Sequence, residues 1–397
     1  MRQCDFETEV DRTNRGNLKD YLTADKIKER GLPSFIGAEF DFRTAPVIRE
    51  AVKEAAENGL FGFTICTPLY RERVRWWFKE VRDYEIEDDW IVPAYGTIFS
   101  FSTAIRAFTQ EGDAVVVFYP GYSRYAQAIS RNQRRVVRCP LRPVNGQYEI
   151  DLKKLEECIR SSGAKLLALC NPNNPTGTVF PADCLESIAE LSRRFGVIVF
   201  SDEIFAEVTF EGHRVVPFGK IAGTDGLGLT CTSLGKAFSF TGVNHANVVI
   251  ENQRLREAFV RQKYRDHYGS IDPMLHAALL AAYTPEGAAW VRAMTEYVWQ
   301  NYLFIADYLE RYVPEIRVTR PQGTYVLWLD LAGLGLKGDE LKEFLLNEAL
   351  LDVEYADDYG TTGANVRMNI STPRRNIRAA FENLRQAVER LRAQRGA

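Results

Sequence analysis

The stretch KLLALCNPNNPTG (residues 165–177) joins a short apolar run to a loop of defined composition. KLLALC is apolar on both faces, as a strand in a covered parallel sheet must be. Two prolines and a glycine then fix a rigid turn that aims amide side chains. Working outward, AVVVFY (114–119), VIVFS (197–201), LGLTCT (227–232) and ANVVI (246–250) read as further strands, with helical stretches such as 181–195 between them. This alternation is an α/β pattern. Upstream, TAPVIREAVKEAAENG (44–59) reads as a helix. Thr44 is its expected cap and Pro46 lies in its first turn. Val47, Ala51, Val52 and Ala55 form its apolar face, and Gly59 is its stop.

Beyond about residue 287 the texture changes. An amphipathic helix (288–312), a strand TYVLWLDL (324–331) and helices at 339–350 and 375–394 suggest a second, smaller α+β domain. The expected division is a large domain over 46–287 and a small one built from 1–45 and 288–397. The N-terminal residues join the latter because they precede the first regular helix and hold no sheet of their own.

The chain has 397 residues, 46% of them hydrophobic and 26% charged, with a net charge of -3. This composition excludes a largely disordered chain and gives no global basic field for nucleic acid. No apolar run approaches the roughly 18–20 residues of a membrane helix. The start MRQCDFETEVDR lacks an apolar core for a secretory signal, so a cytoplasmic location is expected. Seven scattered cysteines without a CxxC, and four histidines with no ligand spacing, argue for reduced thiols and no metal. The glycine pairs at 226–228 and 333–335 are turns, since no GxGxxG, P-loop or GxSxG is present. RNQRRVVR (131–138) is basic but lacks interleaved aromatics, and reads as a solvated face.

Three strand ends carry polar residues: Asn174 in the NPNNPTG loop, Asp202 in SDE (201–203), and Lys236 in SLGK (233–236). Ligands of α/β folds sit at such carboxyl ends. The acid and the lysine alone could form a plain ion pair; the ordered loop argues for a built site.

The order NPxNPTG, SDE, SxxK, with Asn174 and Asp202 28 positions apart and Asp202 and Lys236 34 apart, resembles the fold-type-I pyridoxal 5'-phosphate (PLP) enzymes of the class I/II aminotransferase superfamily. Within it the chain is similar to the MalY/PatB-type cystathionine β-lyase group, through FDFRTAP (40–46), GLFGF (59–63), NGQYEIDLKKLEE (145–157), SDEIFAEV (201–208) and PQGTYVLWLDL (321–331). The resemblance implies a PLP-dependent transferase fold with a mostly parallel seven-stranded sheet, and a homodimer with its active site at the interface. Lys236 would hold PLP as a Schiff base and move the Cα proton, a task suited to a lysine of lowered pKa. Asp202 would keep the pyridine nitrogen protonated. Asn174 would bond the ring's 3-oxygen, and Tyr122 would stack on the ring. Gly96, Thr97 and Ile98, with Ser233, would hold the phosphate at a helix N-terminus. Arg367, in VRMNISTPR (366–374), would take the substrate carboxylate.

Asn244 replaces the phosphate-binding arginine of many aminotransferases, which favours the lyase group. Phe63, Asn173 and Phe205 stand where the related lyases carry more polar or larger hydrogen-bonding residues. They point to a more apolar pocket, a bulky substrate and, as one branch, the lincosamide-type natural-product enzymes. The expected reaction is α,β-elimination from an L-cysteine S-conjugate. An aminotransferase, an oxygen-dependent decarboxylating oxidation and a non-catalytic regulator are the alternatives.

Overall fold

Parallel strands buried on both faces need helices above and below them, and that demand organises the larger part of the chain. The computed structural model describes residues 4–221 and 226–396; residues 1–3, 222–225 and 397, including the first residues of the N-terminal stretch read above, lie outside it. An eight-stranded sheet is built from β1 (Ile91–Ala94), β2 (Ala114–Tyr119), β3 (Arg135–Val144), β4 (Gln147–Ile150), β5 (Leu166–Cys170), β6 (Ile198–Asp202), β7 (Gly228–Thr232) and β8 (Ala246–Val249). Its order is β1-β8-β7-β6-β5-β2-β3-β4. The five strands from β3 to β7 through β2, β5 and β6 are parallel, whereas β8 runs antiparallel to both neighbours. Val116, Leu167 and Val199 face one buried core, and Val115, Ala168 and Phe200 the other.

Five of these strands, β2 and β5 to β8, match the sequence expectation; β1, β3 and β4 are additional, so the sheet has eight strands where seven are expected, and β4 is an edge hairpin strand. Asn145 and Gly146, both at positive φ, turn it back on β3. ANVVI is antiparallel because the connection after β7 carries only a four-residue helix, Leu234–Ala237, and does not return the chain along the sheet. The basic stretch at 131–138 opens β3: Val136 and Val137 are half-buried against the sheet and Arg135 and Arg138 project outward.

A second, antiparallel sheet of order β11-β12-β10-β9 holds β9 (Arg317–Val318), β10 (Val326–Asp330), β11 (Glu354–Tyr355) and β12 (Asn365–Asn369). The long helices Pro285–Tyr312 and Arg374–Gly396 accompany it. The expected helix at 339–350 begins as Gly338–Glu343 and widens into a π-helical turn at Phe344–Glu348. The N-terminal segment lies along this sheet: Phe35 N–H donates to Asp352 O at 2.9 Å, Asn369 N–H to Phe35 O at 2.9 Å, and Asp41 N–H to Ser371 O at 3.0 Å. We propose 45/46 and 287/288 as the domain limits, the second of which falls in the first turn of the Pro285–Tyr312 helix.

Thr44 does not cap the first long helix. The helix is Pro46–Glu57 with Ala45 at its N-cap, and the Thr44 hydroxyl instead donates to Phe238 O. Proline in the first turn lacks one of the N–H groups that a cap would serve. Gly59, at φ +66, ends the helix as expected.

The NPNNPTG loop is clasped by residues 321–324. Gly177 O accepts both the Gln322 and the Gly323 N–H at 2.9 Å, and Thr324 N–H reaches Val208 O at 2.8 Å. A Cβ on Gly323 would come within 2.8 Å of Pro172 Cγ and of Val208 O. Gly323→Ala is therefore expected to cost about 1–3 kcal/mol, read as a lowered thermal midpoint. Gly62→Ala, whose Cβ would meet nothing within 4 Å, should leave that midpoint nearly unchanged.

Candidate active site

The registers Cys170↔Asp202 and Asp202↔Cys231 bring the ends of β5, β6 and β7 into one line. Asp202 is buried there. Its Oδ2 accepts the Tyr125 hydroxyl and its Oδ1 the Ile204 N–H at 3.2 Å. No cation among the described residues forms an ion pair with it. Burial pushes its carboxyl up to about 6, against the opposing pull of the Tyr125 and Ile204 bonds and of the Lys236 charge. Tyr122, at the start of the helix Ser123–Arg131, meets Tyr125 edge-on with centroids 5.7 Å apart, and so stands beside the same acid.

Lys236 sits on the four-residue helix after β7. Its Nζ donates to Ala38 O at 2.9 Å and lies 5.7 Å from the Phe205 ring centre. Desolvation first, and then the Arg367 charge, pulls the amine down to about 8. Tyr325 hydroxyl donates to the same Ala38 carbonyl at 3.0 Å. Phe205, Tyr325 and Phe40 continue the wall edge to face, with centroids 5.2 and 4.9 Å apart.

Beside this, Gly96, at φ +90, is the N-cap of the helix Thr97–Phe108. Its left-handed backbone suits glycine, and a Cβ would lie 3.8 Å from Asn244 Oδ1. Thr97 touches Cys231 at the end of β7, and Ile98 is half-buried in the same turn. Ser233 Oγ accepts the Gly235 N–H at 3.0 Å. Opposite, the buried Arg367 on β12 donates from Nη1 to Asn174 Oδ1 at 3.1 Å and from Nη2 to Glu354, and lies 5.0 Å from the Tyr359 ring centre. Arg367 Nε has no partner among the described residues.

These residues suit a PLP cofactor. The donor set combines a buried acid without a counter-cation, an amine near its titration point, helix-start amides for a phosphate and an aromatic wall. The sequence model of the family described as aminotransferase class I and II matches residues 38–384. The chain belongs to this family. It is 31% identical to Protein MalY of Escherichia coli (94% of this chain, 96% of that protein) and 29% identical to cystathionine beta-lyase PatB of Bacillus subtilis (85% and 87%). Cystalysin of Treponema denticola, whose crystal structure contains pyridoxal 5'-phosphate, superposes with a TM-score of 0.92 at 26% identity, covering 98% of this chain and 99% of that one.

As a class I and II member, the chain also holds site residues that sequence reasoning missed. Tyr125 was signalled by its position three residues after Tyr122, one helical turn along. Tyr325 lies inside the quoted PQGTYVLWLDL without a role assigned. Ala38 contributes a backbone oxygen, which no side-chain pattern can mark. Glu354 had no sequence signal. Of the three replacements expected to make the pocket apolar, only Phe205 adjoins Lys236. Asn173 is spent inside its loop, accepting Thr176 Oγ1 at 2.8 Å, and Phe63 is 99% exposed.

A buried acid whose folded pKa is raised favours folding in its protonated form. Its contribution is intact below the ordinary value of 3.8 and is lost as pH rises through about 6. In cofactor-free protein, Asp202→Asn should therefore raise stability near pH 7.5 by up to about 3 kcal/mol. The gain should shrink as pH falls from 6 towards 4, as thermal melting of both proteins across pH would record.

Proposed function

We propose that this chain is a PLP-dependent C–S β-lyase acting on an L-cysteine S-conjugate. The observation that carries the reading is the unpaired buried carboxylate of Asp202, set in line with a lysine whose amine is poised for proton transfer. When bound, PLP supplies an aldehyde for an amine and a ring that takes up the electron pair left at Cα. Asp202 would hold the proton on the ring nitrogen, the two charges compensating each other. Asn174, whose Oδ1 is engaged by Arg367, would offer its Nδ2 to the 3-oxygen. Tyr122 would cover the ring. The amides of Gly96, Thr97 and Ile98 and the Ser233 hydroxyl would receive the phosphate.

Arg367 offers its free Nε edge to the substrate's α-carboxylate. Lys236 Nζ takes the Cα proton. The Cβ–S bond then breaks and its electron pair leaves with sulfur as a thiolate. Water consumed in hydrolysing the remaining enamine gives pyruvate and ammonia. The name of PatB, a cystathionine beta-lyase, supports elimination over transamination.

The working unit is a homodimer. Leu60, Phe61, Phe63 and Ile65 form an exposed apolar stretch beside the Thr67–Arg82 region, more than a lone subunit normally leaves to water. No helix among the described residues is long and apolar enough to cross a membrane.

Borohydride reduction is expected to leave a pyridoxyl group on the peptide holding Lys236, identified by mass spectrometry. Lys236→Ala should lose about 10²–10⁴-fold or more of turnover. Thiol and pyruvate should appear in equal amounts without added keto acid. A strict keto-acid requirement would move the reading to an aminotransferase, and oxygen uptake with carbon dioxide release to an oxidative decarboxylase. Analytical ultracentrifugation should find a dimer that a Phe61→Asp, Phe63→Asp double substitution weakens.

A further inference from the structure

Arg367, the cation expected to take the substrate's carboxylate, already faces a carboxylate of its own chain. Glu354 stands opposite Arg367 in the register of β11 and β12, and its Oε2 accepts from Arg367 Nη2. The same oxygen receives the Gly37 N–H at 3.2 Å. Backbone pairing and two donors thus hold Glu354 in place. The Arg367 side chain is 3% exposed but that of Glu354 is 27% exposed, so the acid keeps more contact with solvent than the arginine it pairs with. Arg367 in turn reaches Asn174 Oδ1 at 3.1 Å, so the pair borders the loop that carries Asn174.

Counting charge decides what this means. Arg367 and Glu354 together are neutral. A substrate carboxylate docking on the unpartnered Nε edge makes one guanidinium serve two carboxylates in a largely desolvated place, with the substrate's α-ammonium as the balancing charge. A positive charge on the substrate's side chain would meet the Glu354 carboxylate directly, and a negative one would be repelled by it.

We propose that Glu354 is a specificity-determining residue, selecting amino-acid substrates whose side chain carries a cationic nitrogen that settles against the exposed Glu354 oxygen while the α-carboxylate takes Arg367. The assignment deepens the lyase reading and rests on it only for the sulfur in the substrate. Phe205 and Tyr325, which meet edge to face beside Lys236, are rings that tolerate a cation over their faces.

The test uses the holoenzyme and two isosteric pairs. L-Lysine and L-2-aminoheptanoate cannot lose a thiolate, so calorimetry reads their binding without turnover. S-(2-Aminoethyl)-L-cysteine and S-propyl-L-cysteine are the matching conjugates. Wild-type protein is expected to bind L-lysine about tenfold or more tighter than L-2-aminoheptanoate, the scale of one charge-assisted hydrogen bond. Glu354→Gln should bring the pair to near equality, and Glu354→Asp should keep part of the preference. The conjugates should follow through KM rather than kcat. Equal or reversed binding of the two amino acids by wild-type protein overturns the proposal even if the variants fail to fold, as does a ratio unchanged in Glu354→Gln. Lysine preference with no thiol or pyruvate from either conjugate removes the lyase reading and leaves the charge selection standing; cleavage of both conjugates at equal KM does the opposite.

Discussion

A carboxylate withdrawn from water at the end of β6, with no cation among the described residues paired to it, is the constraint on which the rest of the molecule depends. Desolvation lifts the pKa of Asp202, and two hydrogen bonds offset only part of that cost. Such a group is unfavourable until a protonated nitrogen arrives beside it. The stability given up by burying this acid would be returned as affinity for a cofactor whose ring nitrogen is protonated.

The parallel core explains why this acid can be held so firmly. β5, β6 and β7 end at the same level, so a loop, an acid and a lysine-bearing turn emerge side by side. The flanking positions, Cys170 and Cys231, are buried thiols whose pKa burial raises, so they stay neutral and add no charge next to Asp202. Across the gap, the antiparallel sheet presents Arg367 and Glu354 from adjacent strands. In the proposed function, one sheet would hold the proton chemistry and the other would read the charge of what is bound.

Much of this was legible in the sequence. The runs at 114–119, 165–170 and 197–201 are apolar on both faces, and they are central strands. Asn174, Asp202 and Lys236 could be found because each follows such a run. The failures have physical reasons. The direction of 246–250 depends on the length of the preceding connection, which composition does not encode. Thr44 has the chemistry of a cap but lies one residue too early, and a carbonyl 194 residues away takes its hydroxyl. Glu354 becomes a pocket residue through strand pairing with Arg367, and Ala38 through a main-chain oxygen. Both depend on tertiary register, and local pattern is silent on it.

The Ala38 carbonyl has a mechanical consequence. It accepts from Lys236 Nζ and Tyr325 hydroxyl, while neighbouring residues 35 and 41 are stitched to 352, 369 and 371. The opening segment of the chain is thus a drawstring, threaded through the C-terminal sheet and looped over the reactive amine. The hydrogen bond on the amine therefore depends on where residues 35–41 lie against the C-terminal sheet.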